Sequence, residues 1–141
     1  MATNSRSKQK GQALIESGLI VIVFLAMLIS AMDFAQVVFV HQSLVDRVRS
    51  GLRWGSTNPY DPGAIKNMIR YNQSTQPDQV SPFLGIADSN ITVTQFDAGA
   101  PTEGIQVSIV NYPYQFLSPW LAKTFSNDMA VVETLPTEYR P

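Results

Sequence analysis

From Gln12 to Trp54 the chain carries no proline, and this stretch is apolar in its first half and amphipathic in its second. With nothing to break it and apolar side chains to bury, such a segment folds as one helix. The spacing predicts that helix over residues 12–55, with Gly51, Gly55 and Asn58-Pro59 marking its end. At about 1.5 Å per residue it would be roughly 65 Å long, about twice the thickness of a bilayer's hydrocarbon. Ser17 to Met32 holds no charge, and Phe34 to Val40 extends the apolar run past a single Asp33. These supply the roughly 20 residues that a transmembrane helix needs and put the span at about residues 17–40. From Phe34 on, Val37, Val38, Val40, Leu44, Val45, Val48 and Leu52 recur at three- and four-residue spacings among Gln42, Asp46, Arg47, Arg49 and Arg53. Such a stripe needs a cover, and residues 56–141 are there to supply one.

Charges flank the apolar run on both sides. Arg6, Lys8 and Lys10 precede it and, by the positive-inside tendency, hold residues 1–11 in the cytoplasm as a leader, giving an N-in, C-out topology. Arg47, Arg49 and Arg53 lie on the far side, with Asp46 beside them. Glu16 stands at the mouth of the span, where an unpaired carboxylate is costly. It has two physical roles open to it: complementing the positive end of the helix dipole, or meeting an ammonium group. A cleavable secretory signal would have a shorter apolar core followed by small residues. Ser30-Ala31-Met32 fits that poorly, and the helical pattern runs straight through it. The small residue that stands out is Gly11, on the leader side. Asp33 is a second acid near the membrane, expected at the outer interface, with a partner helix as the alternative.

The rest of the chain limits the chemistry available. Residues 56–141 hold four basic side chains, Lys66, Arg70, Lys123 and Arg140, against eight acidic ones, which is no surface for nucleic acid. The absence of cysteine excludes disulfides and thiolate metal sites. His41 is the only histidine, so it is expected as an interfacial helix residue, with little support for a zinc site or His-based catalysis. No Gly-rich phosphate loop or nucleophile motif occurs. The expectation is a protein that is not an enzyme and takes no cofactor or metal.

Residues 56–141 are expected to form a small exported α+β domain. Asp61-Pro62 suits a cap opening a short helix from Ala64 to about Tyr71, with Ile65, Met68 and Ile69 on one face. Asn72 to Pro82, rich in Gln, Ser and Pro, reads as loop. Alternation in Ile91 to Phe96 and Ile105 to Ile109 predicts a strand pair joined through Asp97 to Pro101, and Met129 to Thr134 a third strand. Tyr112, Tyr114, Phe116 and Trp120 are expected to pack in the core, with a carbohydrate or partner surface as the alternative.

The segment Gly11-Gln12-Ala13-Leu14-Ile15-Glu16 ahead of an apolar run resembles the processing region of type IV prepilins. In that family a membrane aspartic protease, prepilin peptidase, cuts after a glycine on the cytoplasmic face, and a glutamate is the fifth residue of the mature chain. Glu16 is fifth if cleavage falls between Gly11 and Gln12. Met32-Asp33-Phe34-Ala35, His41-Gln42-Ser43-Leu44 and Arg49-Ser50-Gly51-Leu52-Arg53-Trp54-Gly55 are similar to the TadE-like pseudopilins, minor pilin-like proteins of the tight-adherence (Flp-type) pilus systems. So is Ile105 to Val110 running into Tyr112-Pro113-Tyr114 and Leu117-Ser118-Pro119. Ser17 departs from the family, in which an aromatic residue commonly follows the glutamate.

The resemblance implies a pilin-like α+β fold, with the long N-terminal helix packed on a small C-terminal antiparallel sheet. It also implies a subunit that prepilin peptidase processes at Gly11 and Gln12 and that takes part in pilus biogenesis. Its partners would be that peptidase, other pilin or pseudopilin subunits met through the N-terminal helix, and an inner-membrane assembly platform. It would reside in a bacterial inner membrane and pass from there to a pilus or the cell surface. In related pilins the glutamate of an incoming subunit is drawn to a neighbour's terminal amine, which would give Glu16 and Gln12 the task of setting the assembly register. Glu16 also lies only about 6 Å along the axis from its own amine, so pairing within or between subunits stays open. Cyclisation of Gln12 to pyroglutamate would remove the amine altogether. The alternative to this reading is an uncleaved, single-pass binding module of the cell envelope.

Overall fold

The computed structural model describes residues 4–100, 102–118, 120, 121, 123 and 130–137, with side chains described from Gly11 on. Its first element, α1, is one helix from Asn4 to Thr57, so the helical backbone begins inside the leader rather than at Gln12. The other end is closed by side chains. Ser56 Oγ donates to the Arg53 carbonyl at 2.9 Å, Thr57 Oγ1 to Arg53 and Trp54, and Asn58 Nδ2 to Trp54 at 2.8 Å. The last carbonyls of a helix have no partner within it, so these bonds satisfy them, and Pro59 follows directly.

The second helix, α2, runs from Pro62 to Tyr71. Asp61 caps it by accepting from the backbone N–H groups of Gly63 and Ala64 at 2.8 and 3.1 Å, and Pro62 occupies the first turn, where a missing N–H costs nothing. Asn72 ends it in the left-handed conformation, φ 59°, with its N–H on the Met68 carbonyl. Three strands follow: β1 Ile91–Phe96, β2 Gly104–Ile109 and β3 Val131–Pro136. They form one antiparallel sheet in the order β1-β2-β3, with Val93 opposite Val107 and Val107 opposite Glu133. The third strand is set two residues later than the Met129 to Thr134 expected from the sequence, and Met129 lies outside the described residues. Two short 3-10 turns, Phe83–Gly85 and Asp88–Asn90, lie between the loop expected over residues 72–82 and β1, in a stretch for which the sequence predicted no element.

A single apolar core joins these elements. Leu44, Val48 and Leu52 of α1 meet Ile65 and Ile69 of α2 and Ile91, Ile105, Val107, Ile109 and Val131 of the sheet. Gly51 and Gly55 let α2 come close: a Cβ on Gly51 would lie 2.6 Å from Ile69 Cγ1, and one on Gly55 2.8 Å from Ile65 Cδ1. A side chain forced into such a space costs about 1–3 kcal/mol. The architecture is α+β with a pilin-like arrangement, a long N-terminal helix laid against a small antiparallel sheet.

The domain covers only part of α1. From Leu14 to Met27 the large apolar side chains are exposed on every face of the helix, between 49% and 75% of their surface. A helix apolar all round and uncovered is suited to lipid rather than water, and α1 is long and apolar enough to cross a bilayer. Asp33 is the first fully buried residue of α1, after half-buried Ala26, Ile29 and Ser30, whereas the apolar run in the sequence continues to Val40.

Candidate functional site

Two places on α1 hold the residues singled out from the sequence, and the structure keeps them apart. The first is the bare end. Gly11, Gln12 and Glu16 are all exposed, and among the described residues neither the Gln12 nor the Glu16 side chain has a hydrogen bond or ion pair within the chain. Gly11 sits inside helical backbone, with nothing within 4 Å of where a Cβ would stand. A glycine there weakens the helix by roughly 1 kcal/mol relative to alanine. Packing within the chain therefore gives no reason for it, in contrast to Gly51 and Gly55. Glu16 lies one turn further along, an acid projecting from an otherwise apolar rod.

Asp33 lies 17 positions beyond Glu16, about 26 Å along the axis. It opens the stripe that continues as Val37, Val40, Leu44, Val48 and Leu52, so it points at the domain rather than away from it. There the chain after Tyr114 descends along α1. The Tyr114 hydroxyl bonds to His41 Nδ1 at 3.3 Å, and the Gln115 carbonyl accepts from Gln36 Nε2 at 3.4 Å. Asp33 then closes the contact. Its Oδ1 accepts from the Leu117 N–H at 2.6 Å, and its Oδ2 from the Ser118 N–H at 2.9 Å and from the Ser118 hydroxyl. A buried carboxylate is tolerable when charge-assisted hydrogen bonds take up its oxygens, and this one has three. Ser118 is itself fully buried.

The sequence offered Asp33 an interface or a partner helix, and the structure gives it a partner inside the chain. The clue was available, since Asp33 precedes Val37 by four on the covered stripe. Its partner, 85 residues away in Ser118, was not. His41, expected at an interface, faces Tyr114 and is half-buried. The aromatic group divides. Tyr112 and Tyr114 are buried edge to face at 5.0 Å, and Tyr112 donates to the Leu84 carbonyl at 2.8 Å. Burial pushes both phenols above their ordinary pKa, and for Tyr114 the neighbouring Tyr112 adds to it, so both stay protonated. Phe116 packs against the core, while Trp120 is 50% exposed.

Comparison with known families bears on the same helix. Residues 11–53 match the family model of TadE-like proteins. The matched range begins at the glycine of the bare end and stops just short of where α1 closes. No characterised protein and no solved structure matches the chain. The family match points to the tight-adherence (Tad) pilus system, and the matched helix is long and apolar enough to span a membrane.

Proposed function

We propose that this TadE-like chain is a pilin-like subunit of the tight-adherence pilus machinery, cut by prepilin peptidase between Gly11 and Gln12 and assembled through its bare N-terminal helix. The observation that carries it is Glu16: an exposed acid without a partner among the described residues, fifth after the proposed cut, on a rod apolar on every side. A rod of this kind is stable only in lipid or against similar rods. A carboxylate within it selects a partner that brings a positive charge, and cleavage makes one, the amine of Gln12.

The same geometry gives Gly11 a reason to be glycine. A peptidase must reach the Gly11–Gln12 bond, which lies in helical backbone, and glycine lowers the cost of opening that turn. In this account the basic leader stays in the bacterial cytoplasm, the apolar half of α1 crosses the inner membrane, and the domain faces outward. Its partners are the peptidase, neighbouring pilin or pseudopilin helices and the assembly platform in the membrane.

Replacing Glu16 by alanine tests the assembly role. The Glu16→Ala chain should still be processed, yet its amount in sheared pili or in cross-linked pilin complexes should fall by about tenfold or more, as expected when a charge pair in lipid is lost. Incorporation at the level of the unaltered chain would remove the pairing mechanism.

A further inference from the structure

We propose that the segment carrying Leu117 and Trp120, which is helical at Trp120, is a second membrane contact, lying in the headgroup zone on the domain side of the bilayer. The inference rests on α1 spanning the membrane and adds a surface to that reading. The apolar run reaches Val40, but the roughly 20 residues that a span needs, counted from Ser17, bring the edge of the hydrocarbon to about residue 36. Asp33 lies just inside that edge, and it holds Leu117 and Ser118 directly against α1. The loop therefore sits at the level of the bilayer surface.

Its side chains suit that place. Leu117 is 64% exposed, a large apolar residue beside a buried acid and open to the surroundings. Trp120 follows three residues later, half exposed, and Lys123 after it is exposed as well. On α1, Phe34 next to Asp33 is 72% exposed, and the apolar rod continues from there toward the N-terminus. Tryptophan and lysine are the residues that settle at a membrane interface, the ring among headgroups and the ammonium near phosphate. The path of the chain agrees. It descends α1 from the level of His41 at Tyr114, past Gln36, to Asp33 at Ser118, and is back in the core at Val131. The Asp33 carboxylate, with three donors of its own, needs no water to sit near the bilayer edge.

Trp54 supplies an internal control, because it lies 21 positions above Asp33, about 31 Å along α1. The full chain would be reconstituted in vesicles of phosphatidylcholine brominated near the top of its acyl chains, and its emission compared with that of W120F and W54F. Trp120 should lose most of its emission to the brominated lipid and be shielded from aqueous iodide, whereas Trp54 should be untouched by the lipid. If W54F fails to fold, the difference between the unaltered chain and W120F isolates Trp120. A Trp120 that iodide reaches and bromine does not overturns the proposal. So does one that neither reaches, which would put protein rather than lipid against the loop. A W54F/W120F chain carrying Phe24→Trp separates the two levels of inference. Quenching of that residue alongside an unquenched Trp120 refutes only the loop contact, and its failure to quench refutes the span and the contact together.

Discussion

Asp33 shows how one side chain can fix where a domain meets its stalk. A carboxylate buried on α1 would be costly if left alone, so the pairing with Leu117 and Ser118 is demanded from both sides: the acid needs donors and the two amides need an acceptor. Replacing it by alanine removes the acceptor for both amides at once. In Asp33→Ala, hydrogen exchange at Leu117 and Ser118 should accelerate by about tenfold or more while amides of β2 keep their protection, since loss of one contact opens the loop and leaves the sheet. Unchanged exchange at those two amides would show that the clasp contributes little. The ion pair of Arg49 with Glu133, at 3.1 Å but with the arginine 65% exposed, is a weaker tie between α1 and β3, because water screens it. Asp33 was legible in the sequence as an acid near a membrane edge. Its role was not, because the pairing spans most of the chain and no local pattern encodes it.

The elements differ in how plainly the sequence announces them. Helix α1 is written in the lack of proline and in its apolar pattern, α2 in the Asp61-Pro62 opening, and β1 and β2 in their alternation. The two 3-10 turns depend on tertiary bonds instead, such as Tyr112 reaching the carbonyl of Leu84, which sits at φ 50°. Gly51 and Gly55, read from the sequence as marking the helix end, lie inside α1, which runs on to Thr57, and the close approach of Ile69 and Ile65 accounts for them instead. Within α1 the change from bare rod to domain helix comes at Asp33, and every buried residue of the core lies beyond it. A fragment from Ser30 to the C-terminus should therefore fold without lipid. It should give a dispersed amide spectrum and a single cooperative unfolding transition. Aggregation, or a helix without the sheet, would mean that the apolar half also supports the domain.

At the scale of the whole molecule, one helix does two tasks that make different demands. Its second half is an ordinary amphipathic element, satisfied by α2, the sheet and the Leu117 loop. Its first half is left for lipid or for other helices, with Glu16 as the single charge between Gly11 and Met32 and with Gly11 unexplained by packing. A subunit that must leave a membrane and join a helical filament needs a rod that finds lipid and protein neighbours comparably acceptable, plus one feature that fixes the register. The glutamate supplies that feature only if Gln12 becomes a terminus. The direct measurement is the intact mass of the chain extracted from membranes of cells that make prepilin peptidase, set beside cells that lack it. The account predicts a chain beginning at Gln12, as free amine or cyclised, in the first and the full-length chain in the second. Persistence of the full-length chain in both would contradict processing, and would leave a permanently anchored envelope protein in place of a pilin-like subunit.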